Sequence, residues 1–176
     1  MKRTILFAIL LSLLHVIFAK NEKVSTFLIK EAGIYIDLPN PAWKNTSRDE
    51  NNGRIVYWFK REPITDGQDK QIIPNIGIII EDIDDKTDVI TYSIGKRGQT
   101  PFDVVGTFIH GDGEINFRNA VGYKGIYKDK ASLSHTVFVI HAINRKKGIQ
   151  IILDTTKDTF SKMEKEFLFV LRSIRK

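Results

Sequence analysis

The sequence contains no cysteine, and that absence excludes several kinds of chemistry. Its 176 residues offer no thiol to form a disulfide, to act as a nucleophile, to bind a metal or to carry a lipid. Glycine and proline are sparse, with 12 and 5 residues, which excludes collagen-like and low-complexity proteins. The 42% hydrophobic and 27% charged content is instead typical of one folded domain with a sizeable core.

Long apolar runs are also scarce, and the clearest one lies at the N-terminus. Lys2 and Arg3 precede the run Ile5–Ala19, which is shorter than the about 20 residues that a membrane-spanning helix needs. A basic start, a short apolar stretch and a small final residue are the parts of an export signal. We therefore predict a signal peptide over residues 1–19 and a single exported domain, periplasmic or secreted, over 20–176. An uncleaved membrane anchor is the alternative.

The chain lacks a dense patch of charge of one sign. Its formal net charge is +6, but the basic residues are spread along the sequence. Nucleic-acid binding needs a concentrated basic face with stacking aromatics, so we predict no nucleic-acid partner. No second long apolar run follows the first, and we predict no membrane span in the mature chain.

Short strand-like segments follow one another through most of the domain. Hydrophobic residues alternate with polar ones in Gly33–Leu38, and Arg54–Arg61 has the composition of a strong strand. Ile76–Ile80 is continuously apolar, which predicts a strand that is covered on both faces. Ser134–Ile143 is the longest predicted strand, and a short turn joins it to Ile149–Asp154. Short turns between consecutive strands predict an antiparallel sheet.

Three further segments complete the strand prediction. Thr46–Gly53 is polar and is predicted as a turn, whereas Glu114–Arg118 is predicted as a strand. Gly122 and Gly125 interrupt the strand Val121–Lys128, which indicates a bulge or a helix packed closely above it.

Two helices are predicted to cover the sheet. Asp88 is a candidate N-cap for a short mid-chain helix, with Val89, Ile90 and Ile94 facing inward. A long C-terminal helix begins near Thr155, which with Asp158 resembles a capping box. Its apolar positions follow helical spacing: Phe160, Met163, Phe167, Val170, Leu171 and Ile174. The sequence therefore predicts an α+β domain with a large, mainly antiparallel sheet.

Three groups of residues, in this order, resemble a known superfamily. They are Ile34–Pro39 followed by Trp43, then Gly122-Tyr123 leading into Val137–Ile143 and Ile149–Leu153, and last Phe167 preceding Val170-Leu171 and Ser173-Ile174. In these features the chain is similar to the PsbP-like superfamily. That superfamily includes the extrinsic photosystem PsbP proteins, the bacterial DcrB-like envelope proteins and a Ran-binding nuclear transport factor.

The resemblance covers most of the chain from about Phe27 onward. It implies a three-layer α/β/α sandwich and, for function, a non-enzymatic partner of a larger assembly. The superfamily shares no catalytic constellation, so the resemblance assigns no catalytic residue.

The histidines offer little catalytic or metal-binding chemistry. His110 lies beside Asp112 at a predicted turn, where it is either a general base or a solvated side chain. His135 and His141 share a strand face, but six residues of strand separate them by about 20 Å, too far for one metal ion. We predict no catalytic residue, no metal and no cofactor.

Two charged segments and several aromatics are candidate binding groups. The acidic cluster Glu81, Asp82, Asp84, Asp85 and Asp88 either binds calcium or, as we prefer, is a polar loop that begins a helix. The basic turn Arg145, Lys146 and Lys147 either contacts a partner or is a solvated hairpin turn. The aromatics Trp43, Tyr57, Trp58, Tyr123 and Tyr127 either line a binding surface or belong to the core.

These observations lead to three ranked hypotheses. The first is an exported, non-catalytic accessory protein that binds a protein partner in the cell envelope through Trp43, Trp58 and the basic turn Arg145, Lys146 and Lys147. The second is a small-ligand carrier with a pocket between sheet and helix, near the glycine-interrupted strand. The third is a hydrolase or metalloenzyme that uses His110.

Overall fold

The computed structural model describes residues 23–176, and the predicted signal peptide lies outside this part of the chain. No helix within residues 23–176 is long and apolar enough to cross a membrane. The strands run in the order β1 Ser25–Ile29, β2 Ile34–Leu38, β3 Trp43–Asn51, β4 Arg54–Arg61, β5 Ile64–Thr65, β6 Gln71–Ile72, β7 Asn75–Asp82, β8 Asp103–Ile109, β9 Ala120–Lys128, β10 Ser134–Asn144 and β11 Lys147–Thr156. The helices are α1 Val89–Arg97 and α2 Lys157–Ser173.

Seven strands form one antiparallel sheet in the order β3-β4-β7-β11-β10-β9-β8. The small hairpins β1-β2 and β5-β6 pair separately. The central strands are the most apolar because both of their faces are covered, and the edge strand β3 is almost entirely exposed. The predicted α+β class, with a short mid-chain helix and a long C-terminal helix, is confirmed.

The helices lie on opposite faces of the sheet, which makes three layers. On one face, here the α2 face, Phe160 and Phe167 of α2 pack against Phe138 of β10. On the other, the α1 face, Ser93 of α1 lies against His141 of the same strand. Phe138 and His141 are three positions apart, so they point to opposite sides.

The β1-β2 hairpin joins the core beneath the α2 face. Its alternation follows the prediction, because Ile34, Ile36 and Leu38 are buried whereas Tyr35 is exposed. Arg175 fastens the hairpin to the end of α2 with two hydrogen bonds to Asp37, at 2.8 and 2.9 Å. The N-terminal hairpin and the C-terminal helix therefore belong to one hydrophobic core.

Two predicted segments differ from the structure. The turn predicted over Thr46–Gly53 is wrong, because most of this segment belongs to the edge strand β3, which needs no buried side chains. The actual turn is Asn52-Gly53, where both residues have positive φ as a two-residue hairpin loop requires. The strand predicted over Glu114–Arg118 is also wrong, since a single bridge between His110 and Ile115 is the pairing recorded there.

Helix α1 begins where the sequence predicts, but it faces the sheet with a different side chain. Asp88 does cap α1, accepting a hydrogen bond from the Thr91 backbone N–H at 2.8 Å. The inward orientation predicted for Ile90 and Ile94 is wrong, since they are 55% and 69% exposed. Tyr92 faces inward instead, because the absent side chain of Gly148 leaves room for its ring.

The capping box predicted for α2 is also wrong. Thr156 is the N-cap, and it makes no side-chain capping bond. The hydroxyl of Thr155 pairs instead with that of Thr159, at 2.7 Å, within the buried start of the helix. The inward face predicted for α2 is nevertheless correct at all six apolar positions.

Candidate functional site

The α1 face is covered over only part of its width. Helix α1 contacts β9 and β10, and Tyr92 reaches across to Gly148 of β11. Of strands β3, β4 and β7, helix α1 reaches the end of β7, where Tyr92 and Lys96 contact Glu81, and its main contacts within the described residues lie on β9 and β10. The open area on these three strands is the candidate site.

Trp58 forms an aromatic platform in this open area. It lies on β4 directly opposite Gly77 of β7. A Cβ atom at Gly77 would lie 2.9 Å from the Trp58 ring, so the ring rests on the glycine backbone and could not do so on a larger residue. Trp58 is 36% exposed, which leaves its outer surface available to solvent.

Polar side chains surround the platform and form a shallow cavity of about 480 Å³. We call this surface, lined by Thr46, Ser47, Trp58, Lys60, Ile73 and Asn75, the Trp58 surface. Its rim offers hydroxyl, amide and ammonium groups around one aromatic ring. That composition, an aromatic centre with a polar rim, is characteristic of interaction surfaces.

Apolar side chains extend the Trp58 surface along the sheet. Val56 lies two residues before Trp58 on β4 and is paired with Ile79 of β7. Ile152 of β11 is paired with Gly77, on the other side from Trp58. All three are half-buried, so a continuous strip of partly exposed apolar surface adjoins the platform.

A buried polar cluster lies beside the Trp58 surface. The amide of Asn75 donates to Asp154 at 3.4 Å, and Tyr127 donates to the same carboxylate at 3.1 Å. His135 Nδ1 lies 3.1 Å from Asp154, and its ring stacks on Tyr127. Burial raises the pKa of Asp154. Because His135 Nε2 is buried, with the Asp129 carboxylate 3.6 Å away, it is shielded from any substrate in solution.

A second polar cluster lies under α1. The Ser93 hydroxyl lies 2.9 Å from His141 Nδ1 and 2.6 Å from the Tyr123 hydroxyl. His141 is fully buried, and its burial, with Arg97 and Lys96 nearby, lowers its pKa to about 4. The neutral imidazole therefore holds α1 on the sheet and is enclosed rather than presented to a ligand.

The structure separates the two predicted tryptophans. Trp43 is 3% exposed, packs against Phe167 and donates from Nε1 to Glu166 at 2.6 Å. It is thus a core residue that presents no surface to a partner. Tyr57 is likewise occupied, because its hydroxyl donates to Glu31 at 2.6 Å.

The basic turn and the acidic cluster contact each other. Lys146 pairs with Asp85 at 2.9 Å, and Lys147 pairs with Asp82 at 2.6 Å. Arg145, at positive φ, has no ion pair in residues 23–176. Gly77 is five strand residues from Asp82, so this turn lies about 17 Å from the Trp58 surface.

The remaining acidic residues also have internal partners. Glu81 pairs with Arg54 and Lys96 and accepts a hydrogen bond from Tyr92. Burial alone would raise its pKa, but the bonds from Lys96 and Tyr92 outweigh burial and lower it. Asp84 accepts the backbone N–H of Lys86 at 2.8 Å. In residues 23–176 no group of three potential ligands is placed to hold a metal ion.

His110 has no catalytic partner in the described structure. It is exposed, and the neighbouring Asp112 carboxylate accepts the backbone N–H of Ile109 at 2.9 Å instead of orienting the imidazole. The two residues are adjacent as predicted, but they do not form a dyad.

The glycine-interrupted strand holds aromatic rings instead of a pocket. A Cβ at Gly122 would lie 2.1 Å from the ring of Phe108, and one at Gly125 would lie 2.1 Å from that of Phe102. The bulge lies in the neighbouring strand, between Val104 and Gly106. The space in which a carrier would hold its ligand is therefore filled by the protein's own side chains.

The Trp58 platform depends on a pairing that the sequence analysis missed. A glycine within an otherwise continuous apolar strand, Gly77 in Ile76–Ile80, signals close approach of another group. The register that brings Trp58 to that glycine connects two strands separated by a loop and a small hairpin.

Comparison with known proteins supports the fold through structure alone. No model of a protein family matches the sequence, and no curated protein matches it. Among solved structures, cyanobacterial PsbP (CyanoP) from Synechocystis sp. PCC 6803 is similar, with 15% identity and a TM-score of 0.52 over 90% of this chain and 95% of that one.

Two structures of Mog1 are similar to about the same extent. The Saccharomyces cerevisiae Ran-binding protein Mog1p has 12% identity and a TM-score of 0.52 over 88% of this chain and 95% of its own. A mutant of Mog1 has 12% identity and a TM-score of 0.50 over 87% and 95%. At such low identity the likeness shows shared architecture and not shared activity. The chain thus has the PsbP-like fold that its sequence suggested.

Proposed function

We propose that this protein is an exported, non-catalytic accessory protein that binds a protein partner of the cell envelope on the Trp58 surface. The observation that carries the proposal is the platform itself, a tryptophan ring packed against a glycine and still 36% exposed. Tryptophan is strongly enriched among the residues that dominate protein interfaces, because it brings a large rigid area at little entropic cost.

The extent of the surface favours a protein over a small ligand. The half-buried strip formed by Val56, Ile79 and Ile152 continues beyond the shallow cavity, so a partner has apolar area to cover on both sides of Trp58. Small ligands instead bind in concave sites that bury most of their surface. The fold also supports this choice by analogy, since Mog1p is a Ran-binding protein.

Two alternatives have less support. A ligand carrier needs a cavity between sheet and helix, and Phe102 and Phe108 fill the predicted position. A hydrolase needs an oriented base within reach of a substrate. The Nε2 atoms of His135 and His141 are buried, and the Asp112 carboxylate accepts the backbone N–H of Ile109 instead of orienting His110. Arg145 is the residue of the basic turn that we retain as a second contact, since Lys146 and Lys147 are paired internally.

Crosslinking in the native cell tests the proposal. The protein and its Trp58→Ala variant would be lightly crosslinked, purified gently from their own cell envelope and compared by native mass spectrometry. We expect a stoichiometric protein adduct with the wild type and at least about a tenfold loss with Trp58→Ala. Phe169→Ala, which removes a similarly exposed ring from α2, is the matched control and keeps the adduct.

The variants must first be shown to be folded, by circular dichroism and thermal unfolding. A bare monomer from wild-type cells contradicts the accessory role. An adduct that Trp58→Ala retains at full yield contradicts the assignment of the surface.

A further inference from the structure

A second concave site lies where α2 ends, and it shares no lining residue with the Trp58 surface. This groove encloses about 640 Å³ between the end of the helix and the segment that follows β8. Four of its side chains are cationic: Arg118, Arg172, Arg175 and Lys176. One is a carboxylate, that of Asp37. We call it the terminal groove.

The single carboxylate of the terminal groove is already neutralised. Arg175 donates to both oxygens of Asp37, at 2.8 and 2.9 Å, and Thr26 donates to the same group at 2.7 Å. The hydrogen bonds from Arg175 are the largest influence on Asp37 and lower its pKa, so it remains charged and engaged. The remaining three cations therefore face the groove without an opposing side-chain charge among its lining residues.

Two of the arginines in the groove retain free donors. Arg172 uses Nε to donate to the carbonyl oxygen of Gly113 at 2.7 Å, which fixes the position of its guanidinium while other N–H groups stay available. Arg118 is exposed and makes no ion pair or side-chain hydrogen bond within residues 23–176. A guanidinium that is held at one edge is preorganised to bind an anion at the other.

From this geometry we infer that the terminal groove binds a phosphoryl group, carried either by a free phosphate compound or by a lipid headgroup. The planar fork of a guanidinium matches the oxygens of phosphate, and such charge-assisted bonds are about twice as strong as neutral ones. The groove is much larger than one phosphate ion, so it leaves space for the organic part of a phosphate ester. This inference does not depend on the function proposed for the Trp58 surface.

Titration of the purified chain with two probes tests the inference and separates the sources. Inorganic pyrophosphate, followed by calorimetry, represents free phosphate compounds. Vesicles of phosphatidylglycerol, compared with vesicles of phosphatidylcholine by sedimentation, represent lipid headgroups. Binding of either phosphate probe supports the inference and identifies its source, whereas binding of neither overturns it.

A charge-matched pair of variants distinguishes the groove from general attraction to a basic protein. Arg118→Gln with Arg172→Gln removes two charges from the groove, and we expect at least about a tenfold loss of affinity. Lys128→Gln with Lys165→Gln removes two exposed charges elsewhere, and we expect less than a twofold change. Equal losses in the two double variants overturn the site.

Each arginine is also tested alone, because Arg172 contacts Gly113 and its loss could disturb the fold. Arg118 makes no such contact, so we expect Arg118→Gln to weaken binding severalfold and to leave thermal unfolding unchanged. A polyglutamate peptide is the competitor for selectivity. If it displaces pyrophosphate at lower concentration than phosphate does, the groove prefers carboxylates and the inference is wrong.

Discussion

The two faces of the sheet are packed differently. On the α2 face, aromatic and aliphatic side chains from strands, hairpin and helix pack together. On the α1 face, buried polar groups are mixed with apolar ones, and the helix covers only part of the sheet. Phe138, Phe160 and Phe167 pack together on the first face. On the second, His141 and Asp154 are buried with their hydrogen-bond partners, and Trp58 remains open to solvent. The same seven strands supply both faces.

This difference suggests that the α2 face mainly stabilises the fold and the α1 face mainly contacts a partner. The α2 face holds the larger cluster of buried apolar residues, so it accounts for much of the stability. The α1 face carries buried polar groups that stabilise less and require satisfied partners, and it keeps exposed the residues that a partner can contact. Substitutions on the two faces should therefore have different consequences.

The largest expected effect is on the α2 face. Phe167 is fully buried and contacts three other aromatic rings, so Phe167→Ala leaves a cavity and should lower the free energy of unfolding by about 3 to 5 kcal/mol. Phe169→Ala removes an exposed ring two positions later in the same helix and should change it by less than about 0.5 kcal/mol. Urea unfolding measures both. Similar decreases in the free energy of unfolding for the two variants would contradict the close packing of the α2 face.

The polar interior of the α1 face should make stability depend on pH. His141 has a pKa of about 4 in the folded protein and about 6.5 when unfolded, so below pH 6.5 the unfolded chain binds a proton that the folded chain does not. The free energy of unfolding should consequently fall by up to about 3 kcal/mol as the pH drops from 6.5 to 4.

His141→Gln tests this assignment. The variant cannot gain the proton, so its free energy of unfolding should decline less steeply over the same pH range in urea titrations. His110→Gln is the control, because it removes an exposed imidazole and leaves His141 in place. A wild-type slope retained by His141→Gln would assign the effect to other groups.

The two faces also differ in how far the sequence predicts them. The α2 face follows from periodicity, because the helical spacing of five apolar positions in α2, with Ile174 just after it, and the alternation of β2 are visible in the sequence. The edge strand β3 escaped prediction because its exposed side chains carry no alternation. On the α1 face, the orientation of the short helix depends on Tyr92 meeting Gly148, a contact between distant segments.

The candidate site also depends on contacts between distant segments, which the local sequence does not show. Trp58 was predicted as a binding residue, but so was Trp43, and nothing in their local sequence separates the exposed ring from the buried one. The separation comes from tertiary partners, Gly77 beneath Trp58 and Glu166 with Phe167 around Trp43. The basic turn was predicted either to contact a partner or to be a solvated turn. Arg145 is exposed, whereas the pairing of Lys146 and Lys147 with the acidic cluster depends on the register between β7 and β11, which local sequence does not show.

The smallest expected change in stability provides the closest test of the platform. Gly77→Ala places a methyl group 2.9 Å from the Trp58 ring, so the ring must tilt away from the sheet while tryptophan itself is retained. Because a surface ring can move, we expect a cost of only about 1 kcal/mol, at the low end for overpacking.

Acrylamide should quench Trp58 fluorescence more strongly, since Trp43 is buried and contributes little to the quenched fraction. The crosslinked adduct should decrease together with this change, whereas Gly67→Ala, which adds a methyl group in open space, should alter neither. If the ring moves and the adduct persists, the position of Trp58 against Gly77 is not what the partner recognises.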